Sequence, residues 1–105
     1  MKLDTRKEQL LAFVVREHSR SAEPVASEVV REKAGLDISP ATIRAQMAAL
    51  EKAGYLKQPH TSAGRVPTDK GFRYFVNQLM DKVKMTLKEQ DRLKTELMKL
   101  QMANA

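Results

Sequence analysis

The chain has 105 residues, 30% of them charged and 42% hydrophobic, which indicates one small folded domain with an appendage. It contains no cysteine, so disulfides, thiolate metal sites and thiol catalysis are excluded. Its longest apolar run, residues 10–15, is far shorter than the ~20 residues that a membrane span needs. The run is not placed like a signal peptide either, so we expect a cytoplasmic protein without a membrane partner.

The net charge of +6 is distributed unevenly along the chain. Residues 1–39 carry seven basic and seven acidic side chains, and residues 76–105 carry six basic against four acidic. Residues 40–75 carry six Lys or Arg against two Asp or Glu. A basic excess in one third of a small domain is typical of a protein that binds a polyanion. An ordinary charged surface is the alternative that charge alone leaves open.

The first predicted helix runs from about residue 5 to Arg20. Thr5 and Glu8 form a candidate capping box, and apolar residues recur at helical spacing over 10–15. Pro24 disfavours helix in the residue before it, so residues 23–25 are predicted to be extended. Ser27 is a candidate N-cap for a short second helix.

The third helix has the clearest start signal. Gly35 is predicted to end the second helix in the left-handed conformation. Ser39 then suits the N-cap, and Pro40 suits the first helical position, where its missing N–H costs nothing. Gly54 is predicted to end this third helix, whose inner face carries Ile43, Met47 and Leu50. The short turn over 35–38 has the length of a helix-turn-helix connection.

A β-hairpin and a fourth helix follow. Residues 55–58 and 65–67 are predicted strands, joined by a turn over 59–64, and Thr68 is the candidate N-cap of a helix running to about Val83. The fold class is therefore mostly α with a small β-hairpin, a winged helix-turn-helix followed by a C-terminal helical extension. Residues 1–80 are predicted to form the DNA-binding domain. Residues 81–105 are predicted to form the extension, which is also the candidate dimerisation segment.

Candidate DNA-reading residues lie on the third helix, which in a helix-turn-helix enters the major groove. Arg44 can give two parallel hydrogen bonds to guanine, worth ~1–3 kcal/mol of discrimination, with a phosphate contact as the equal alternative. Ser39 is first an N-cap, although its helix end also suits a phosphate. The other candidates, for which ordinary helix surface is the alternative, are Ala41, Thr42, Ala45 and Gln46.

The hairpin tip is small, hydroxylated and basic, so its amides and hydroxyls can approach phosphates. Arg65 suits a narrow minor groove, where the negative potential is enhanced, and a purely structural wing is the alternative. The candidates on the hairpin and the next helix are Lys57, His60, Thr61, Ser62, Gly64, Arg65, Lys70 and Arg73.

Catalysis and metal binding are not expected. His60 and Ser62 lack the orienting acid and the oxyanion donors of a catalytic triad. His18 and His60 lie on different elements with no carboxylate spacing that suggests a metal site. We therefore expect no enzyme activity, no metal and no cofactor.

Three stretches resemble a known family: SPATIR at 39–44, GYL at 54–56 and QPHTSAGRVPTDKGFRY at 58–74. They are similar to the N-terminal domain of the bacterial heat-inducible transcription repressors, the HrcA family, and the resemblance covers roughly residues 4–80. It implies a repressor that binds double-stranded DNA at an inverted-repeat operator called CIRCE, upstream of chaperone operons. It also implies that the GroE chaperonin keeps the repressor active.

Two departures from the family bear on these implications. The family places an asparagine and then an acidic residue after Ile43 and Arg44, whereas Ala45 and Gln46 stand here, which favours a different operator. The family also has a long C-terminal region, so chaperonin sensing is an expectation for the family rather than for this chain. A fragment, a truncated product and a free-standing regulator are all consistent with the sequence.

Reading an inverted repeat requires two chains, so a weak homodimer through residues 83–102 is predicted. Residues from Phe72 to Leu100 follow at alternating steps of four and three, the spacing of a coiled-coil seam, and all are apolar except Thr86 and Gln90 in the middle. The predicted dimerisation residues are Val83, Leu93, Leu97 and Leu100. The alternative is a separate amphipathic helix, because Thr86 with Glu89 is also a capping box.

The leading interpretation is a sequence-specific transcriptional repressor. The alternatives are a winged-helix protein-interaction module, a truncated regulator without independent repressor activity, and a binder of structured RNA. A steep fall of affinity with salt separates DNA binding from a protein interface. Competition between duplex DNA and duplex RNA separates the third alternative.

Overall fold

The computed structural model describes residues 3–60 and 63–103. This part of the chain is mostly helical, with one antiparallel hairpin between the third and fourth α-helices, as the sequence predicts for a winged helix. The elements are α1 (Thr5–Ser21), α2 (Ser27–Lys33), α3 (Pro40–Lys52), β1 (Leu56–Lys57), β2 (Val66–Pro67), α4 (Asp69–Tyr74) and α5 (Leu87–Ala103).

The start of α1 lies one residue earlier than the predicted capping box. Asp4 is the N-cap: its Oδ1 accepts a hydrogen bond of 2.9 Å from the Lys7 backbone N–H, which lowers the pKa of the Asp4 carboxyl. Thr5 is the first helical residue, so its predicted capping role is wrong. Glu8 is used elsewhere, because its carboxylate accepts a hydrogen bond of 2.7 Å from the Tyr74 hydroxyl.

The start of α2 also differs from the prediction, whereas α3 starts as predicted. Ala26 occupies the N-cap position of α2 without a side-chain hydrogen bond, and Ser27 is its first helical residue. At α3, the Ser39 Oγ accepts a hydrogen bond of 3.1 Å from the Thr42 N–H, and Pro40 follows as the first helical residue. Gly35, with φ of 70°, makes the turn between the two helices.

The hairpin is the wing of the fold, and it is joined to the segment before α2. Leu56 pairs with Pro67 and Lys57 with Val66 in the antiparallel ladder. A further bridge joins Arg65 to Val25, whose backbone groups exchange hydrogen bonds of 2.8 and 2.9 Å. The residues that precede α2 therefore act as a third, single-residue strand that supports the wing.

A close approach of backbones fixes α4 against the base of the hairpin. Thr68 caps α4 as predicted, accepting a hydrogen bond of 3.1 Å from the Gly71 N–H. A Cβ at position 71 would overlap the Tyr55 carbonyl oxygen, so only glycine fits there. The sequence predicts that this helix runs to about Val83. In the structure the α-helix ends at Tyr74 and continues as a π-helical turn over Phe75–Leu79 and a 3-10 turn over Met80–Lys82.

The predicted continuous coiled-coil seam is wrong. The helix ends before Val83, which is extended, and α5 begins anew after Thr86, whose hydroxyl accepts a hydrogen bond of 3.1 Å from the Glu89 N–H. The alternative interpretation, a separate capped helix, is thereby confirmed. The physical reason is that the same spacing also serves packing within one chain: Leu93 is fully buried in the core, and Val83, Leu97 and Leu100 pack against that core.

Polar contacts hold α5 across α1. Arg16 forms an ion pair of 3.0 Å with Glu89, and Ser19 bonds both Glu96 at 3.0 Å and Arg92 at 3.1 Å. In addition, one hydrophobic cluster includes residues from α1, α3, α4 and α5, so α5 also packs into the common core. The division into domains at residue 80 stays a prediction.

Candidate nucleic-acid interface

The face of α3 turned away from the core is small and exposed. The inner positions Ile43, Met47 and Leu50 are buried, which places the opposite face in solvent. That face carries four exposed residues at helical spacing, Ala41, Ala45, Ala48 and Lys52. Alanine side chains allow a close approach to a partner, and Lys52 adds a positive charge at one end. The sequence analysis missed Lys52 as a site residue, although its spacing from Ala48 and Ala45 was the available signal.

The wing lies beside this face of α3. A cleft of about 180 Å³ is lined by residues of α3, of the wing and of the start of α2: Ser27, Arg44, Met47, Ala48, Ala63 and Arg65. Helix and wing therefore form one continuous surface, to which Arg44 and Arg65 contribute from opposite sides. Ser27 also belongs to this surface, and no signal in the sequence placed it beside the wing.

Among residues 3–60 and 63–103, three cations of α3 and of the wing lack a protein partner for their side chains. Arg44, Lys52 and Lys57 are exposed. Within the described ranges 3–60 and 63–103, none of the three takes part in a hydrogen bond or an ion pair through its side chain. Their positive charges are consequently available to an external anion.

Two other predicted cations already have partners within the chain. The Lys70 Nζ donates a hydrogen bond of 2.9 Å to the Ala53 carbonyl at the end of α3 and lies 4.5 Å from the centre of the Tyr55 ring. The Arg65 Nε donates a hydrogen bond of 2.8 Å to Glu51, which is the acidic residue of α3. Both side chains therefore form contacts within the protein that stabilise the region around the end of α3.

The remaining predicted residues of α3 and α4 differ in how accessible their polar atoms are. Ser39 donates a hydrogen bond of 3.0 Å to the Thr42 hydroxyl, so these two hydroxyls pair with each other. The Gln46 Oε1 and the Arg73 Nε are shielded from solvent and have no partner in the part of the chain that the structure describes. The side chains of Gln46 and Arg73 are thus only partly available at the surface.

The wing tip is described only in part. His60 is exposed, whereas Gly64 is buried. A Cβ at position 64 would lie only 2.9 Å from the Pro24 Cβ, so the backbones pack closely there. Thr61 and Ser62 lie outside the described residues. Gly64 thus acts in the structure as a close-packing position that seats the wing.

Residues 3–60 and 63–103 contain no group of three or more His, Cys, Asp or Glu placed to hold a metal ion. Over the same ranges, no helix combines the length and the apolarity that crossing a membrane would take.

Known proteins resemble this chain over most of its length. Three curated relatives bear the name heat-inducible transcription repressor HrcA. The one from Pelotomaculum thermopropionicum is 46% identical over 96 residues, which are 91% of this chain and 28% of the relative. The one from Desulforudis audaxviator is 54% identical over 81 residues, 77% of this chain and 24% of the relative. The one from Bifidobacterium animalis is 50% identical over 93 residues, 89% of this chain and 25% of the relative.

The chain is therefore HrcA-like. It spans about a quarter of the length of these curated relatives. A match of 96 residues within a chain of 105 necessarily includes α3 and the hairpin, so the HrcA likeness covers the whole candidate interface. The resemblance noted in the sequence is thus confirmed, while the specific contacts of each residue stay predictions.

A solved structure supports the fold assignment, and no protein-family model matches the chain. The solved structure is a crystal structure of a hypothetical protein that is 42% identical to this chain. It aligns with a TM-score of 0.72 and covers 80% of this chain and 27% of the other.

Proposed function

We propose that this chain is a sequence-specific, double-stranded DNA-binding module of a transcriptional repressor. The observation that carries the proposal is the exposed face of α3, which has unpartnered Arg44 and Lys52 and lies beside a wing with unpartnered Lys57. A small exposed helix face with free cations beside it suits the major groove, where phosphates flank the base edges.

Base reading is assigned mainly to α3. Arg44 extends from the first half of the helix and is free to make the bidentate contact with guanine. Ala41 and Ala45 suit contacts with thymine methyl groups, whereas Thr42 and Gln46 form one flank of the helix. Ala45→Asn is expected to shift the preferred operator toward that of the resembled family, and an unchanged preferred sequence would contradict this role of position 45.

Phosphate contacts are assigned to the wing and to the ends of α3. At the amino-terminal end of α3 the Ala41 backbone N–H remains for a phosphate, because Pro40 has no N–H and the Thr42 N–H bonds to Ser39. Lys57 and His60 are exposed on the hairpin. The proposed surface also includes the other predicted residues of this region, Thr61, Ser62, Gly64, Arg65, Lys70 and Arg73. Gly64, Arg65 and Lys70 serve it by placing the wing and the end of α3, as their contacts indicate.

The target operons, the homodimer and the regulation of the repressor are part of the same proposal. The relatives are named heat-inducible transcription repressors, which supports action on transcription. Action on chaperone operons, in the cytoplasm and without catalysis, is proposed through the family resemblance. Two chains are proposed to read an inverted repeat as a homodimer. The pairing surface would exclude Leu93, which is fully buried within one chain. Regulation by the GroE chaperonin is proposed only through the family resemblance.

The salt dependence of binding tests the proposal. Each phosphate neutralised lowers the slope of log affinity against log salt by about 0.9, so the three free cations predict a slope of about −2 to −3 per chain. A protein-interaction module would leave labelled duplex DNA unbound. A binder of structured RNA would be displaced by duplex RNA in preference to duplex DNA.

A further inference from the structure

One guanidinium joins the recognition helix to the wing. The Arg65 Nε donates a hydrogen bond of 2.8 Å to the Glu51 Oε1 in the last turn of α3. The same side chain donates from Nη1 to the Ala63 carbonyl at 2.7 Å and to the Gly64 carbonyl at 3.3 Å. Arg65 therefore bonds to α3 and to the wing's own backbone at once.

The backbone at position 65 is held as firmly as its side chain. Its N–H and C=O both bond to Val25, and the neighbouring Gly64 packs against Pro24. The ion pair itself is partly shielded, since 23% of the Arg65 side chain and 36% of the Glu51 side chain are exposed. Arg65 thus occupies a fixed point between α2, α3 and the wing.

We propose that Glu51 and Arg65 are positioning residues that set the placement of the wing relative to α3. This inference rests on the proposed function, because the placement matters only where helix and wing contact one ligand together. In this arrangement Glu51 neutralises Arg65, so Arg65 adds no phosphate contact of its own. Its effect on DNA reading is to keep the free cations of the helix and of the wing at a constant separation.

The first arm of the test uses the free protein. The chain has no cysteine, so spin labels can be placed specifically at Ala48→Cys on α3 and Ala63→Cys on the wing, both exposed. We expect a narrow distribution of label distances in the parent. Glu51→Gln and Arg65→Gln should both broaden it, and Arg65→Gln more, because that change also removes the hydrogen bonds to the Ala63 and Gly64 carbonyls. The exchanged pair Glu51→Arg with Arg65→Glu should narrow it in part, because it restores the ion pair but not the hydrogen bonds to the Ala63 and Gly64 carbonyls.

The second arm measures DNA binding by the same variants without labels. Arg65→Gln is expected to leave the salt slope unchanged and to lower the affinity ratio of preferred over random duplex by about tenfold, the size of one lost contact. Lys57→Ala is the matched control, because it removes a free cation of the wing and should make the slope less negative by about 0.9. The exchanged pair should restore part of the ratio.

The outcomes separate this inference from the proposed function. If Arg65→Gln makes the salt slope less negative as Lys57→Ala does, or if neither single substitution changes the label distances, the positioning role is wrong. If the parent does not bind DNA, the proposed function fails, while the spin-label arm still decides whether Glu51 and Arg65 place the wing.

Discussion

Arg44→Ala should change which DNA sequence is preferred while leaving the fold intact. The Arg44 side chain is exposed and makes no hydrogen bond or ion pair among residues 3–60 and 63–103, so its removal breaks no polar contact there. Alanine is also a strong helix former, and we expect the free energy of unfolding to change by less than about 0.5 kcal/mol. A lost bidentate contact with guanine costs about 1–3 kcal/mol, which corresponds to about 5- to 150-fold in affinity.

The assay compares the preferred duplex with duplexes substituted at one base pair at a time, using fluorescence anisotropy at fixed salt. The parent should discriminate at one position of each half-site by this amount, and Arg44→Ala should lose discrimination at that position alone. Lys52→Ala is the matched control, since it removes another free cation of α3 beyond the base-reading half. Equal weakening by Arg44→Ala on every duplex would show that Arg44 contacts only phosphate.

Three further substitutions test the fold that positions the interface, each by urea unfolding. Leu93→Ala should lower the free energy of unfolding by about 2–5 kcal/mol, because Leu93 is fully buried. Leu87→Ala is the control and should change it little, because Leu87 is 78% exposed. Equal effects of the two substitutions would show that α5 does not pack into the core. Gly71→Ala should destabilise the protein by several kcal/mol, since its Cβ would overlap backbone, and a neutral result would contradict that close approach. Burial and the hydrogen bond to Glu8 raise the pKa of Tyr74, so the stability this hydroxyl adds is complete below its ordinary pKa of 10.0 and is lost as pH rises through the raised value. Tyr74→Phe should therefore lower stability at neutral pH and flatten the loss above pH 10, and identical pH profiles would refute the assignment.

The sequence was informative where structure depends on neighbours in the chain. Two helix starts depend only on nearby residues, because Ser39 and Thr68 each accept a hydrogen bond from a backbone N–H three positions later. The local sequence alone therefore indicated both starts, and Pro40 after Ser39 strengthened the first. The start of α1 was harder because Asp4 and Thr5 are both good N-caps. The choice depends on Glu8, whose carboxylate bonds to Tyr74, distant in the sequence.

The errors concern what covers a surface. Heptad spacing correctly indicated an apolar face on α5, but such spacing is the same whether a second chain or the chain's own core covers it. Leu93 meets the core of its own chain. The sequence also placed Arg65 on the wing, but it did not indicate the partner Glu51, which lies fourteen positions earlier in the chain.

The central claim is that α3 reads DNA sequence, and selection from a pool of random DNA duplexes tests it most directly. Repeated rounds of binding to the purified chain should enrich one short half-site, and the same selection with Arg44→Ala should relax the preference at one position of it. A pool that binds but stays random after repeated rounds would contradict the claim, because it would show attraction to the phosphate backbone without any reading of the bases.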